Sequence, residues 1–295
     1  MHGPPASTRR LALATALILV FMAVEVTAGV LAHSLALISD AAHMLTDAAA
    51  LGLAFVALRL AARPARGAMT YGFQRVEVLA AQVNGITLLV LAVAIVYSAV
   101  QRLISPPAVS AWVMVVVAGA GIVVNGGATL ALSGAGRESH MSVEGSFQHI
   151  LTDLFAFIGT ALAGIVILLS GFDRADAIAS LFVAALMGRS AVGLLRDSGR
   201  VFLEAAPRGL DPEEVGRSLA AHREVVEVHD LHVWELSAGF PALSAHVLVK
   251  READCHAARR ELEGLLRERF GLEHTTLQVD HEDGGELLEL QLPRV

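Results

Sequence analysis

The sequence predicts an α-helical membrane protein of six transmembrane helices followed by a C-terminal α/β domain. Three observations predict it. The 295 residues are 55% hydrophobic, and a mean hydropathy of +0.59 is too high for an ordinary water-soluble chain of this length. Charge is unevenly spread, with 21 Asp, Glu, Lys and Arg among the 194 residues from Leu11 to Glu204 and 28 among the 91 from Ala205 onward. The apolar residues of the first part also fall into six runs, each near the roughly 20 residues that a bilayer requires.

The six spans are expected at about 11–32, 36–60, 77–101, 111–133, 146–170 and 176–200. Arg9 and Arg10 precede the first, but five more apolar runs follow, so it reads as a membrane helix and not a signal peptide. Ser105-Pro106-Pro107 separates the third from the fourth, because no helix continues through that pair of prolines. Gly134-Ala135-Gly136 and Ser170-Gly171-Phe172-Asp173 break the later pairs. Arginines set the orientation. Arg9, Arg10, Arg59, Arg63, Arg66, Arg75, Arg137, Arg189, Arg196 and Arg200 fall on one side, and only Arg102 and Arg174 on the other. The positive-inside rule then places both termini in the cytoplasm. The expected division is an N-terminal tail over 1–10, a membrane domain over 11–204 and a cytoplasmic domain over 205–295.

From Ala205 the pattern changes. Asp211-Pro-Glu-Glu214 has an N-cap, a proline at the first helical position and a capping-box glutamate. Val225 to Leu236 alternates and is rich in valine, and Leu243 to Val249 and Thr275 to Asp280 read as further strands. Between them a helix is capped by Asp254 and stops at Gly271. The order α-β-β-α-β describes a small ferredoxin-like two-layer domain, with one modest core that dimerisation would help to stabilise.

Two spans carry the same motif, His43-Met-Leu-Thr-Asp47 and His149-Ile-Leu-Thr-Asp153. Residues i and i+4 share a helix face one turn apart. If the two helices face each other, two nitrogens and two oxygens surround one point, which is the ligand set of tetrahedral Zn²⁺. Structural His–Asp hydrogen bonds are the competing reading, but ionisable groups at this depth are costly and are functional by default. A metal ligand must be deprotonated, so loading the site displaces any proton its histidines carry. With an ordinary pKa of about 6.5, His43 and His149 can exchange metal for protons as the site opens to each side in turn.

The chain resembles the cation diffusion facilitators of the zinc, cadmium and cobalt type, over about residues 9–281. The resemblance rests on Ser39-Asp40-Ala-Ala-His43-Met-Leu-Thr-Asp47, Tyr71-Gly72-Phe73-Gln74-Arg75-Val76-Glu77, His149-Ile-Leu-Thr-Asp153 and His229-Asp-Leu-His232-Val-Trp234. It implies a homodimeric exporter that exchanges Zn²⁺, with Cd²⁺ or Co²⁺ as companions, for protons at His43, Asp47, His149 and Asp153. Relatives that carry manganese or iron tend to have Asp where His43 stands. The resemblance also implies regulatory zinc at His229, His246 and Asp280, with His256 and His274 able to complete a second metal near a dimer interface. It further implies an ion pair of Arg75 with Glu204 at the cytoplasmic membrane edge. Strand alternation places His232 on the face opposite His229.

Other polar residues have lesser roles. Asp40 lies about one turn before His43 and is assigned to metal access or to supporting the ligands. Glu25, Asn84, Asn125 and Asp176 read as interhelical hydrogen-bond partners, and His33 as a solvated outer histidine. The loop from Arg63 to Thr70 has no Asp or His, so no metal is expected there, and the loop after the fourth span has only His140. Two rival functions remain. An intramembrane zinc hydrolase needs an open coordination position and a general base, and no His-Glu-x-x-His occurs. A membrane-anchored zinc sensor leaves the four buried groups unexplained. A net charge of −7 and the absence of a basic cluster argue against nucleic acid as a partner. A single cysteine, Cys255, excludes a disulfide framework. Lys250 is the only lysine, a composition that suits a bacterial genome, with the inner (plasma) membrane as the location.

Overall fold

The structure, a computed structural model, describes residues 20–133, 141–237 and 239–282, with the backbone alone at 126–133 and 141–151. The predicted tail over 1–10, the first half of the first span, the glycine break at 134–136 and His140 lie outside the described residues.

Six apolar helices come first: α1 (Val20–Ala32), α2 (Leu35–Ala61), α3 (Val76–Ile104), α4 (Ala111–Ser133), α5 (Met141–Ser170) and α6 (Arg174–Phe202). Among the described residues, four helices have stretches long and apolar enough to cross a bilayer, and the described parts of α1 and α4 are shorter apolar helices. Their outward faces carry Leu51 at 74% exposure, Val123 at 75% and Leu169 at 84%. A water-soluble domain does not display such a continuous apolar exterior, whereas lipid solvates it. The chain divides into two compact units, Met1–Val56 with Ala80–Leu195, and Ala57–Leu79 with Arg196–Val295.

Inside the first unit small residues bring helices close. Ala36, Ala111, Ala163, Ala175 and Ala179 pack with Leu37, Met114 and Ile167, joining α2, α4, α5 and α6. Gly121 of α4 lies so close to the Phe157 ring of α5 that a Cβ there has no room. Phe157 in turn meets Phe21 of α1 edge to face, with centroids 5.8 Å apart.

The start of α2 is held from a distance. The buried Asp176 of α6 accepts hydrogen bonds from Ser34 Oγ at 2.6 Å, from the Leu35 amide at 2.7 Å and from the Ala36 amide at 3.2 Å. These are the amides that a helix start leaves without partners, so a carboxylate 141 residues away serves as the N-terminal cap. Arg102 of α3 balances that carboxylate at 3.3 Å and also donates to the His33 carbonyl. His33 is exposed and takes the left-handed turn, φ 55°, that lets the chain reverse before α2.

The second unit contains α7 (Pro212–Ala220), β1 (Val225–Ser237), β2 (Phe240–Val249), α8 (Cys255–Phe270) and β3 (His274–His281). The caps stand where the sequence puts them. Asp211 accepts from the Glu213 amide, Asp254 from the His256 and Ala257 amides, and Gly271 closes α8 at φ 67°. The hydrogen bond from the Ala257 amide is the main reason that the Asp254 carboxyl is held below its ordinary pKa. In the sheet, β2 is central, antiparallel to β1 and parallel to β3. Val215, Leu219, Leu243, Val247, Leu262 and Leu266 form the core between one sheet face and the two helices. The opposite face carries His229, Ser244 and His246.

Candidate metal centre

The sequence of α2 alternates small apolar residues with one polar stripe, Asp40, His43, Thr46 and Asp47, which all fall on neighbouring turns. His43 is buried, its side chain 5% exposed, with Asp47 at 21% and Asp153 at 15%. His43 Nδ1 lies 3.6 Å from Asp47 Oδ2 on its own helix, and His43 Nε2 lies 3.7 Å from Asp153 Oδ1 on α5. One ligand atom from each of the three residues falls within a 4.8 Å group. Ligands about 2.0–2.1 Å from a tetrahedral zinc ion stand about 3.3 Å from each other, and since Asp47 and Asp153 approach different nitrogens of the His43 ring, side-chain rotation has to bring both carboxylates to one nitrogen before the three hold one ion. The site thus draws on two helices far apart in sequence. The side chain of His149 lies outside the described residues; its position on α5 is one turn before Asp153.

Asp40 is 2% exposed, one turn before His43, and Glu25 of α1 is fully buried. Asp176 caps α2, which is the interhelical bonding expected of it. Asn125 donates to the Gly121 carbonyl of its own helix at 3.1 Å.

In the C-terminal domain His229 and His246 are cross-strand partners with ring centroids 5.3 Å apart. The third member of their group is Asp230, whose Oδ2 lies 3.8 Å from His246 Nδ1, and one ligand atom from each of the three falls within 4.8 Å. Asp230 has a φ of 48° and stands where the β1–β2 register shifts between His229 and His232. That bulge corrects the expected placement of His232. One extra residue resets the alternation, so His232 pairs with Ser244 and shares the face of His229 instead of opposing it. A regular strand would have sent Asp230 to the core side, which is why its role is invisible to alternation.

Asp280 stands on β3 opposite Leu248 and accepts a hydrogen bond from Gln278 at 2.9 Å, outside the His229–Asp230–His246 group. His256 is exposed in the first turn of α8. His274 packs against the rings of Tyr71 and Phe240, with centroids 5.8 and 5.5 Å away. Neither joins the His229–Asp230–His246 group. His222, which no sequence motif marks, binds Glu261 at 2.9 Å and holds that carboxyl below its ordinary pKa.

Arg75 donates to Glu204 at 3.1 Å, with the two side chains 40% and 62% exposed. Both line a cavity of about 1170 Å³ together with Tyr71, Phe73, His232 and Trp234. A pair this open to solvent contributes little to stability.

Comparison with known proteins places this geometry in context. Residues 11–203 match the cation efflux transmembrane domain, and residues 207–282 match the cytoplasmic domain of cation efflux proteins. The chain is 33% identical to the cadmium, cobalt and zinc/H⁺-K⁺ antiporter of Bacillus subtilis, over 95% of this chain and 91% of the relative. It is 36% identical to the zinc transporter ZitB of Escherichia coli, over 94% of this chain and 88% of the relative. It is 38% identical to the metal cation efflux system protein CzcD of Cupriavidus metallidurans, again over 94% and 88%. With both domain models matched in order and the buried His43–Asp47–Asp153 group inside the first, the chain belongs to the cation efflux family, the cation diffusion facilitators.

Proposed function

We propose that the protein exports Zn²⁺, with Cd²⁺ and Co²⁺ as alternative cargo, in exchange for protons. His43, Asp47, His149 and Asp153 form the transport site. The observation that carries this reading is the convergence of His43, Asp47 and Asp153 from two helices inside an otherwise apolar membrane unit. Imidazole nitrogen with carboxylate oxygen suits zinc, and four protein ligands leave no position for an activated water. The relatives are named as an antiporter of cadmium, cobalt and zinc, a zinc transporter and a metal cation efflux protein, which supports the same cargo and speaks against the hydrolase reading.

The mechanism follows from ligand chemistry. Imidazole binds the ion only when neutral, so loading from the cytoplasm expels any proton on the two histidines. Release requires the donors of α2 and α5 to separate, because a closed four-ligand shell holds its ion tightly. Opening to the far side exposes the donors to protons that compete for the same lone pairs. Arginines on the α2–α3 loop and at the end of α6 support placing the C-terminal domain in the cytoplasm, within a bacterial inner (plasma) membrane. The C-terminal domain supports a homodimer. There, His229, Asp230 and His246 would hold a regulatory zinc ion that reports cytoplasmic metal.

Zinc-dependent proton movement in liposomes holding the purified protein, beside Asp153→Ala, tests the proposal. Proton flux driven by zinc and lost in the variant is the expected result. Equal flux in both would remove Asp153 from the site. Metal binding confined to the C-terminal domain, with no flux at all, would return the protein to the sensor reading.

A further inference from the structure

A second pair of membrane carboxyls lies outside the metal group. Glu25 on α1 is 0% exposed and Asp40 on α2 is 2% exposed. The two groups lie within hydrogen-bonding reach of each other. As two carboxylates they have no hydrogen between them, and both Glu25 oxygens and Asp40 Oδ2 are then buried without any hydrogen-bond partner. Carboxylates without donors are poorly tolerated away from water. Two like charges in contact in an apolar setting do not both ionise. One shared proton answers both problems, since it turns the contact into a short O–H···O⁻ bond, the arrangement of carboxyl dyads in general.

The pair is placed to sense the metal. Asp40 precedes His43 by three residues and Asp47 by seven on the same helix. The charged groups that act on the pair are Asp47 from α2 and Asp153 from α5. Both are carboxylates of the metal group.

We propose that Glu25 and Asp40 form a proton-binding site linked to the metal site, and that the shared proton is part of what the protein exchanges for its cargo. This rests on the exporter reading above. With the metal site empty, the negative charges of Asp47 and Asp153 hold the proton on the pair. A divalent cation between those carboxylates reverses the local field. The O–H bond of the pair then breaks, the proton leaves to water as H⁺, and Glu25 and Asp40 remain as two carboxylates facing a bound cation. When the metal departs, a proton from the aqueous phase restores the O–H bond. No redox change or further reactant is involved.

Glu25→Gln keeps the shape of the pair and supplies an amide hydrogen to Asp40, but it has no proton to release. The experiment is calorimetric titration of zinc into the full-length protein in detergent, in two buffers of different ionisation enthalpy, which yields protons released per chain. Glu25→Gln should release about one proton fewer than the unaltered chain, with the same number of zinc ions bound. Protons released at the C-terminal histidines cancel in the difference because both proteins carry them. Asp40→Asn should show the same deficit, and it serves as the test if the first variant does not fold. Equal proton release in the variants at unchanged zinc stoichiometry overturns the proposal. So does the loss of one zinc per chain, which would make these carboxyls metal ligands. A proton deficit in a protein that moves no zinc across liposomes would sink the exporter reading and leave the linked proton site standing.

Discussion

The molecule gathers histidine and aspartate in two places, and the surroundings of the two groups differ. In the membrane unit the side chains of His43, Asp47 and Asp153 are 5%, 21% and 15% exposed. In the C-terminal domain His246 and Asp230 are 45% and 68% exposed, and His229 is 35% exposed. The buried group has donors from two separate helices, so helix movement can make and break it. The exposed group lies on neighbouring strands of one hairpin, with His229 and His246 paired across the ladder and Asp230 on the bulge beside them. A site that must release its ion needs the first arrangement, and a site that reads the ambient concentration needs the second. Burial sharpens the contrast, since charges in an apolar setting interact strongly while exposed ones are screened.

The largest effect that should separate the two is the loss of a carboxylate from the buried group. Asp153→Ala should lower zinc flux by about 100-fold or more, beyond the cost of losing an outer partner of a metal ligand. Zinc bound to the C-terminal domain should be unchanged. Flux assays in liposomes with parallel binding measurements check both, and retained flux would place the cargo elsewhere.

A different loss strikes the scaffold and not the donors. Asp176→Ala removes the cap of α2 and leaves Arg102, Ser34 and two amides without their acceptor. The expected cost is about 3 kcal/mol, as for hydrogen bonds to a buried charge. Denaturant titration in detergent should show it, together with reduced flux, because α2 carries two of the donors. Normal stability would mean that water replaces the cap.

His43→Asp probes selectivity instead of strength. A harder oxygen set should raise the ratio of manganese to zinc flux by about 10-fold. An unchanged ratio would move selectivity away from this residue.

These contrasts also mark how far the sequence alone could be read. The spans α2 to α6 were legible because lipid demands long apolar runs, and Pro106-Pro107 and Gly171 punctuate them. The caps at Asp211, Asp254 and Gly271 were legible because capping is local chemistry. The spacing of His43 and Asp47 was legible for the same reason. What was hidden is long-range or irregular. Nothing near Leu35 announces that its amide is capped from α6, and nothing in Glu25 names Asp40 as its neighbour. In β1 the extra residue at the bulge breaks the alternation on which the face of His232 was assigned, and it swings Asp230 into the place beside His246.

The hairpin site predicts a milder change. His246→Ala should raise the zinc concentration for half-maximal flux by up to about 10-fold while leaving the maximal flux intact. Asp230→Ala should do the same, whereas Asp280→Ala should not. A shift on losing Asp280 with none on losing Asp230 would return the third ligand to β3.

The smallest effect is expected at Arg75 and Glu204. Their contact is direct at 3.1 Å, yet both side chains face solvent beside a large cavity. Water and salt screen such a pair, so Arg75→Ala should cost well under about 1 kcal/mol in stability. Restoring the pair in reverse, as Arg75→Glu with Glu204→Arg, separates attraction from the needs of each position. If the double exchange recovers flux lost by either single change, the pair couples the α2–α3 loop to the end of α6 in a way that stability does not register. If the single changes already transport normally, the contact is incidental, and the 3.1 Å approach of the two side chains has no part in transport.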